Sequence, residues 1–260
     1  MKAQQRKETR NLKIQTNFRR YEIKYLLSPG AYADVARRMA PFVRPDEYGK
    51  STVANIYFDT PDNRLIRRSL EKPAYKEKLR LRTYGVPTAE STAFLELKKK
   101  YDGVVYKRRE KMTYREALAF LSAPTEDTQI RRELAYAVRM YEPLRPAAVI
   151  AYDREAFYDR FDPEVRVTFD RNIRARDTDV DLTHGTHGTD ILPGAVLMEV
   201  KVSPVVPLWL SRILTATHTY PTSFSKYGTA YTKYFLPDRQ SGNASVPNQK
   251  TAPEGDTVYA

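Results

Sequence analysis

Cations recur at every second position in several short stretches of the chain, a spacing that bears on chemistry. Lys76, Lys78, Arg80 and Arg82 fall on one side of an alternating run, with Leu79 and Leu81 on the other. Successive side chains of a β-strand point to opposite faces, so such a run gathers its charges on one face. Glu96, Lys98 and Lys100 repeat the pattern against Leu95 and Leu97, and Lys107 and Arg109 follow in the next run. Glu22 with Lys24 and Glu199 with Lys201 share the Glu-x-Lys spacing, while Arg154 and Arg166 belong to a later pair of runs. Any single run of this kind reads as a solvated sheet face. Like charges on neighbouring strands repel, however, and the repetition calls for an anion between them. A linear phosphate chain suits that role.

The overall charge agrees. Lys and Arg number 44 against 32 for Asp and Glu in 260 residues, a net of +12, which favours a polyanion: nucleic acid, acidic lipid or condensed phosphate. Tyrosines can stack bases, but Tyr57 and Tyr106 lie where ordinary packing accounts for them, and no nucleic acid is expected. With no cysteine, disulfides and thiolate zinc sites are excluded and a reducing, cytoplasmic setting is expected. No stretch approaches the roughly 20 apolar residues that span a bilayer, so the chain reads as soluble. The phosphate loop, the nucleophile elbow and the His-Glu-x-x-His helix are all missing. His184 and His187 sit in a turn-like His-Gly-Thr-His-Gly segment and receive no role.

The elements that must position these charges are mostly strands. Alternation and β-branched or aromatic content predict strands over 18–27, 53–59, 75–84, 93–100, 103–109, 147–158, 165–170 and 195–202. Ser28 before Pro29 opens a helix running to about Ala40, and Thr113 with Glu116 forms a capping box. Further helices are expected over 127–141 and 204–216, with a helix-forming segment over 227–234. Strands joined by short turns favour an antiparallel, β-dominated α+β sheet or barrel over a parallel doubly wound one. One domain over 18–236 is expected, after a flexible basic segment over 1–17 and before a disordered tail over 237–260.

The ordered series Arg20-Tyr-Glu-Ile-Lys-Tyr25, Asn55-Ile-Tyr-Phe-Asp-Thr60, Lys78-Leu-Arg-Leu-Arg82, Phe94-Leu-Glu-Leu-Lys98, Val105-Tyr-Lys-Arg-Arg109, Tyr152-Asp-Arg154, Val165-Arg-Val167, Met198-Glu-Val-Lys201 and Ser223-Phe-Ser-Lys-Tyr227 resembles the VTC domain. That family is the polyphosphate polymerase branch of the triphosphate tunnel metalloenzymes. The resemblance implies an antiparallel, eight-stranded tunnel-like barrel with peripheral helices. It also implies transfer of the ATP γ-phosphate to a growing polyphosphate chain, with Mn²⁺ or Mg²⁺ as cofactor. Lys24, Arg80, Arg82, Lys98, Arg154, Arg166 and Glu199 would form the catalytic set, joined in phosphate binding by Lys78, Lys107, Arg109, Lys201 and Lys226. Glu199 would hold the metal. Glu22 and Glu96 would be either further metal ligands or partners that orient the lysines. Tunnel hydrolases and cyclases open with Glu-x-Glu-x-Lys, and here Arg20 takes the first acidic position, which weakens a two-metal hydrolytic site and favours polymerase or binding chemistry. The alternatives are an inorganic or nucleoside triphosphatase using the same tunnel, and a polyphosphate sensor without turnover. A separate membrane-protein partner fits a chain with no spanning segment of its own.

Overall fold

The structure is a computed structural model that describes residues 21–102, 104–202 and 205–237. The expected flexible start over 1–17, Phe18 to Arg20, Gly103 and the expected tail beyond Pro237 lie outside the described residues. Nine strands form one antiparallel sheet: β1 (Tyr21–Leu27), β2 (Val43–Asp59), β3 (Tyr75–Tyr84), β4 (Thr92–Tyr101), β5 (Val104–Thr113), β6 (Arg145–Asp159), β7 (Arg166–Arg176), β8 (Thr189–Asp190) and β9 (Val196–Val202). Eight make a continuous path, β1-β9-β7-β6-β2-β3-β4-β5, and the two-residue β8 pairs with β7. Six helices accompany them: α1 (Pro29–Met39), α2 (Arg64–Leu70), α3 (Tyr114–Ser122), α4 (Gln129–Met140), α5 (Leu208–Ala216) and α6 (Lys226–Ala230), the last running into a π-helical turn over Tyr231–Phe235.

Local signals set many of the boundaries. The Ser28 hydroxyl accepts the Ala31 N–H at 3.2 Å to cap α1. Thr113 and Glu116 cap α3 reciprocally. Helix α2 was not expected, because its cap is not local: the Asp59 carboxylate accepts the N–H groups of Leu65 at 2.8 Å and Ile66 at 3.0 Å. Strand β2 also starts ten residues before the expected Val53, since its polar first half is held by pairing with β6 rather than by alternation.

The two faces of the sheet have different fates. Leu79, Leu81, Leu95 and Leu97 are buried on the outer face against α3 and α4, each contributing about 1.5–3 kcal/mol. On the same face Tyr25, Val167, Met198 and Val200 pack against α1 and α5. The inner face carries the charges, and at one end Tyr57, Ile150, Tyr152 and Leu197 close against Tyr227, Tyr231 and Phe235.

The edges β1 and β5 share no ladder, so the sheet is not a fully hydrogen-bonded barrel. A chain segment bridges part of the gap. The Thr222 N–H donates to the Lys24 carbonyl at 2.7 Å, the Lys24 ammonium to the Phe224 carbonyl at 2.8 Å, and the Lys78 ammonium to the Ser225 hydroxyl at 3.1 Å. Residues Thr222–Ser225 therefore run from β1 to β3. The curled sheet encloses a concave, charged face.

Alternation across the sheet makes a testable contrast. Leu97→Ala should lower unfolding free energy by about 2–5 kcal/mol, whereas Lys98→Ala, on the opposite face and 42% exposed, should cost less than about 1 kcal/mol; urea titration of both variants checks this.

Candidate functional site

Register places the repeated charges on this concave face. Lys24 stands opposite Glu199 and Glu22 opposite Lys201; Glu199 faces Thr168 and Lys201 faces Arg166; Arg154 faces Asp170. On the other wall Arg80 stands opposite Glu96, and Lys78 opposite Lys98. Arg109 faces Glu96, and Lys107 faces Lys98. Of the fourteen cations and acids named as site residues from the sequence, all but Arg82 and Lys226 appear in these pairings. Arg82 sits two residues along β3 from Arg80 on the same face, and Lys226 reaches the face from α6.

Two carboxylate-centred clusters organise the cations. In the first, Glu96 is 1% exposed and takes Arg80 Nε at 2.6 Å, Lys107 Nζ at 2.7 Å, Arg109 Nε at 2.8 Å and, more distantly, Arg82 Nε at 3.9 Å. Burial alone would push its carboxyl up, but Arg80, Arg82 and Lys107 outweigh that and hold it well below the usual range. In the second, Asp170 is fully buried and accepts two hydrogen bonds from Arg154 at 2.6 and 2.7 Å, with Lys226 Nζ at 2.6 Å. Glu199 shares the same cations, with Lys226 and Arg154 each at 3.1 Å and Lys24 at 3.6 Å. Burial raises the Glu199 carboxyl, while Lys226, Arg154 and Lys24 lower it further, leaving it ionised. Burial likewise disfavours the Lys226 ammonium, but Asp170 and Glu199 more than restore it.

Tyr152 links the clusters. Its hydroxyl accepts from Arg82 at 3.3 Å, and its ring carries Lys226 at 4.5 Å and Arg154 at 5.1 Å from the centroid. Tyr57 lies beside Arg80, which donates to its hydroxyl at 3.2 Å. Arg166 donates to Asp46 at 2.9 Å while its buried Nε has no hydrogen-bond partner among the described residues. Glu22 is 3.6 Å from Lys24 and 3.9 Å from Lys98. Every acid on this face is in an ion pair. Cations nevertheless outnumber acids, so the face suits a multiply charged anion.

The VTC domain family model matches residues 19–235. The chain belongs to the VTC domain family. Among solved structures, an adenylate cyclase candidate from Bacillus halodurans is similar at 13% identity, covering 78% of this chain and 92% of that one with a TM-score of 0.51. An adenylyl cyclase candidate from Hippeastrum with a dominant triphosphatase activity is similar at 17% identity, covering 85% and 95%, with a TM-score of 0.49. No curated protein matches it.

Within this VTC domain, three participants escaped the sequence reading. Asp170 is the last residue of the expected strand over 165–170 and had no role there; only the register opposite Arg154 reveals it. Tyr57 reads as a packing residue and Tyr152 only as part of the motif series; both pack, yet their hydroxyls meet the guanidinium groups. His184 instead pairs with Asp179 at 2.5 Å in an exposed loop, apart from the charged face.

Two outcomes follow from this electrostatic arrangement. Asp170→Asn removes the buried partner of both Arg154 and Lys226, and should lower stability by about 3–5 kcal/mol, read by chemical denaturation. Burial brings the Lys78 and Lys107 ammonium groups down to about 8. Burial pushes the Tyr57 phenol up, but Arg80 and Lys78 draw it down to about 8. Each group becomes less positive as pH rises through that value, so the face loses positive charge. Tripolyphosphate affinity should therefore fall between pH 7 and 9, and Tyr57→Phe should blunt the fall; calorimetric titration across that range checks both.

Proposed function

We propose that the concave face seats the triphosphate of ATP and catalyses phosphoryl transfer to a condensed-phosphate chain, making this VTC domain a polyphosphate polymerase. The observation that carries this reading is the pair of carboxylate-centred cation clusters facing one another across one enclosed surface. Phosphoryl transfer needs positioning and charge compensation far more than covalent help. Arg80, Arg82 and Arg109 on one wall, with Arg154, Arg166 and Lys226 on the other, are fixed by carboxylates and phenols before any ligand arrives. Fixed donors of this kind need little reorganisation as charge develops on the transferring group. Arginine forks suit the planar, bidentate contacts that phosphate oxygens offer.

A divalent cation, Mn²⁺ or Mg²⁺, is compatible with Glu199 and Glu22. The Lys24 ammonium already stands 3.6 Å from an oxygen of each, so a cation is accommodated between them. Among the described residues no group of three or more acidic or histidine side chains could hold an ion alone. Phosphate oxygens would complete the coordination, the usual arrangement for Mg²⁺ with one or two carboxylates. When bound, the ion supplies Lewis-acid neutralisation of phosphate charge. Glu96, with both oxygens engaged by cations, acts as an orienting partner instead.

The residues then have distinct tasks. Lys24 and Lys98 lie along the approach to Glu22 and Glu199, and Lys201 extends the basic wall beside Arg166. A terminal phosphate oxyanion of the chain attacks the γ-phosphorus, the bond to the bridging oxygen of ADP breaks, and the chain gains one unit as ADP leaves. The attacking oxygen is already ionised, so no side chain has to remove a proton. The ion-paired state of every concave-face acid supports this over hydrolysis, because no carboxylate is left unpaired to activate water.

Purified protein with ATP and Mn²⁺ should yield ADP and polyphosphate resolved by gel electrophoresis; ADP with equimolar orthophosphate and no polymer would replace this reading with a triphosphatase. Glu199→Gln should cut turnover by about 100-fold or more while retaining tripolyphosphate binding.

A further inference from the structure

Strand β2 departs sharply from its ladder with β6. Pro45 pairs with Phe157 and Lys50 with Glu155, so the four residues 46–49 stand against Ala156 alone. An ordinary bulge inserts one extra residue; this excursion inserts three. Gly49 turns the chain back at φ +54°, with nothing within 4 Å of where a Cβ would stand, a conformation that glycine adopts without steric penalty. Glu47, Tyr48 and Gly49 are exposed. Asp46 is tucked in: its side chain is 4% exposed, one carboxylate oxygen accepting from Arg166 Nη2 at 2.9 Å and the other from the Tyr48 N–H at 3.1 Å.

Asp46 differs from the other acids that meet the cations of the concave face. Glu22, Glu96, Asp170 and Glu199 all lie in ladders whose register fixes them. Asp170 takes two nitrogens of Arg154, a complete fork. Asp46 takes one nitrogen of Arg166 and leaves the buried Nε without a hydrogen-bond partner among the described residues, an unfavourable state for a buried donor. The Arg166 guanidinium lies 5.2 Å from the centroid of the Tyr158 ring, which steadies the side chain without using its donors. A phosphate group offers two oxygens to Nε and Nη2 together. It therefore satisfies the fork of Arg166 better than Asp46 does.

We infer that Asp46 is an internal anion that holds Arg166 until a phosphate group replaces it, and that the 46–49 excursion of β2 is released from the concave face when this happens. This rests on the reading of that face as a phosphate seat, and adds a regulation of it: the chain competes with its own ligand. The apparent affinity is then the intrinsic one reduced by the fraction of molecules in which Asp46 is off Arg166. By the same linkage, the ligand shifts the excursion toward its released state. Return of the carboxylate to Arg166 favours departure of the ligand, so a strongly basic face does not hold its anion indefinitely.

The test joins calorimetric titration of the purified full chain with tripolyphosphate to hydrogen exchange. Asp46→Asn keeps the side-chain shape and removes the charge, and should bind tripolyphosphate about five- to tenfold more tightly. Glu47→Gln, the same charge change one residue along, should alter affinity by less than about twofold. In an Arg166→Gln background the gain from Asp46→Asn should vanish, which separates direct competition from a general change of charge. In the unmodified protein, tripolyphosphate should speed amide exchange over 46–50, a measurement that stands even if a variant fails to fold. A fall or no change in affinity in Asp46→Asn, an equal gain in Glu47→Gln, or slowed exchange over 46–50 on binding would overturn the competition and leave Asp46 as an orienting partner of Arg166. Failure of the unmodified protein to bind tripolyphosphate would instead overturn the phosphate seat on which it rests.

Discussion

Mutual repulsion among the cations of the concave face is the constraint to which the rest of the structure answers. More than ten Lys and Arg side chains converge there, and in a partly enclosed space such charges would force the sheet open unless compensated. Four acids do that work. Glu96 gathers Arg80, Arg82, Lys107 and Arg109; Asp170 and Glu199 gather Arg154, Lys226 and Lys24; Glu22 spans Lys24 and Lys98. Because the most buried acids contact several cations at once, they fix relative positions as well as lowering repulsion. The surplus of positive charge is what remains available to a ligand.

The same pairing explains how an open-edged sheet encloses a surface. β1 and β5 do not bond to each other, yet Lys226 draws the C-terminal helix onto Asp170 and Glu199, and the preceding Thr222–Ser225 segment bonds both β1 and β3. Electrostatic closure and the apolar seal of Tyr227, Tyr231 and Phe235 act at the same end. The helix that contributes a site residue is thus also the element that completes the wall.

Arginine and lysine divide the face between them. Buried rows next to carboxylates are mostly arginine, whose planar fork can satisfy an acid and still present donors outward. Rows toward the rim are lysine, a mobile and well-hydrated charge suited to many modest, salt-dependent contacts. Such a gradient gives rigidity in the buried rows and looseness toward the rim.

Alternation of charge and leucine in β3 and β4 already determines which face is basic, because side-chain direction has period two in any strand. The capping residues Ser28, Thr113 and Glu116 likewise announce their helices, since their partners lie within three residues. The motif series marks the family and nearly all of the basic residues on the concave face. What sequence alone leaves open is whatever depends on distant partners: helix α2, capped by Asp59 from outside; the first half of β2, ordered by β6; and Asp170, whose meaning comes only from register with Arg154. Whether Glu22 and Glu96 sit alike was also undecided, and tertiary contacts separated them. Glu96 is buried among four cations, while Glu22 shares Lys24 with Glu199 near the open side. Type and spacing determine which side chains share a face; only the curling of the sheet decides which of them meet across it.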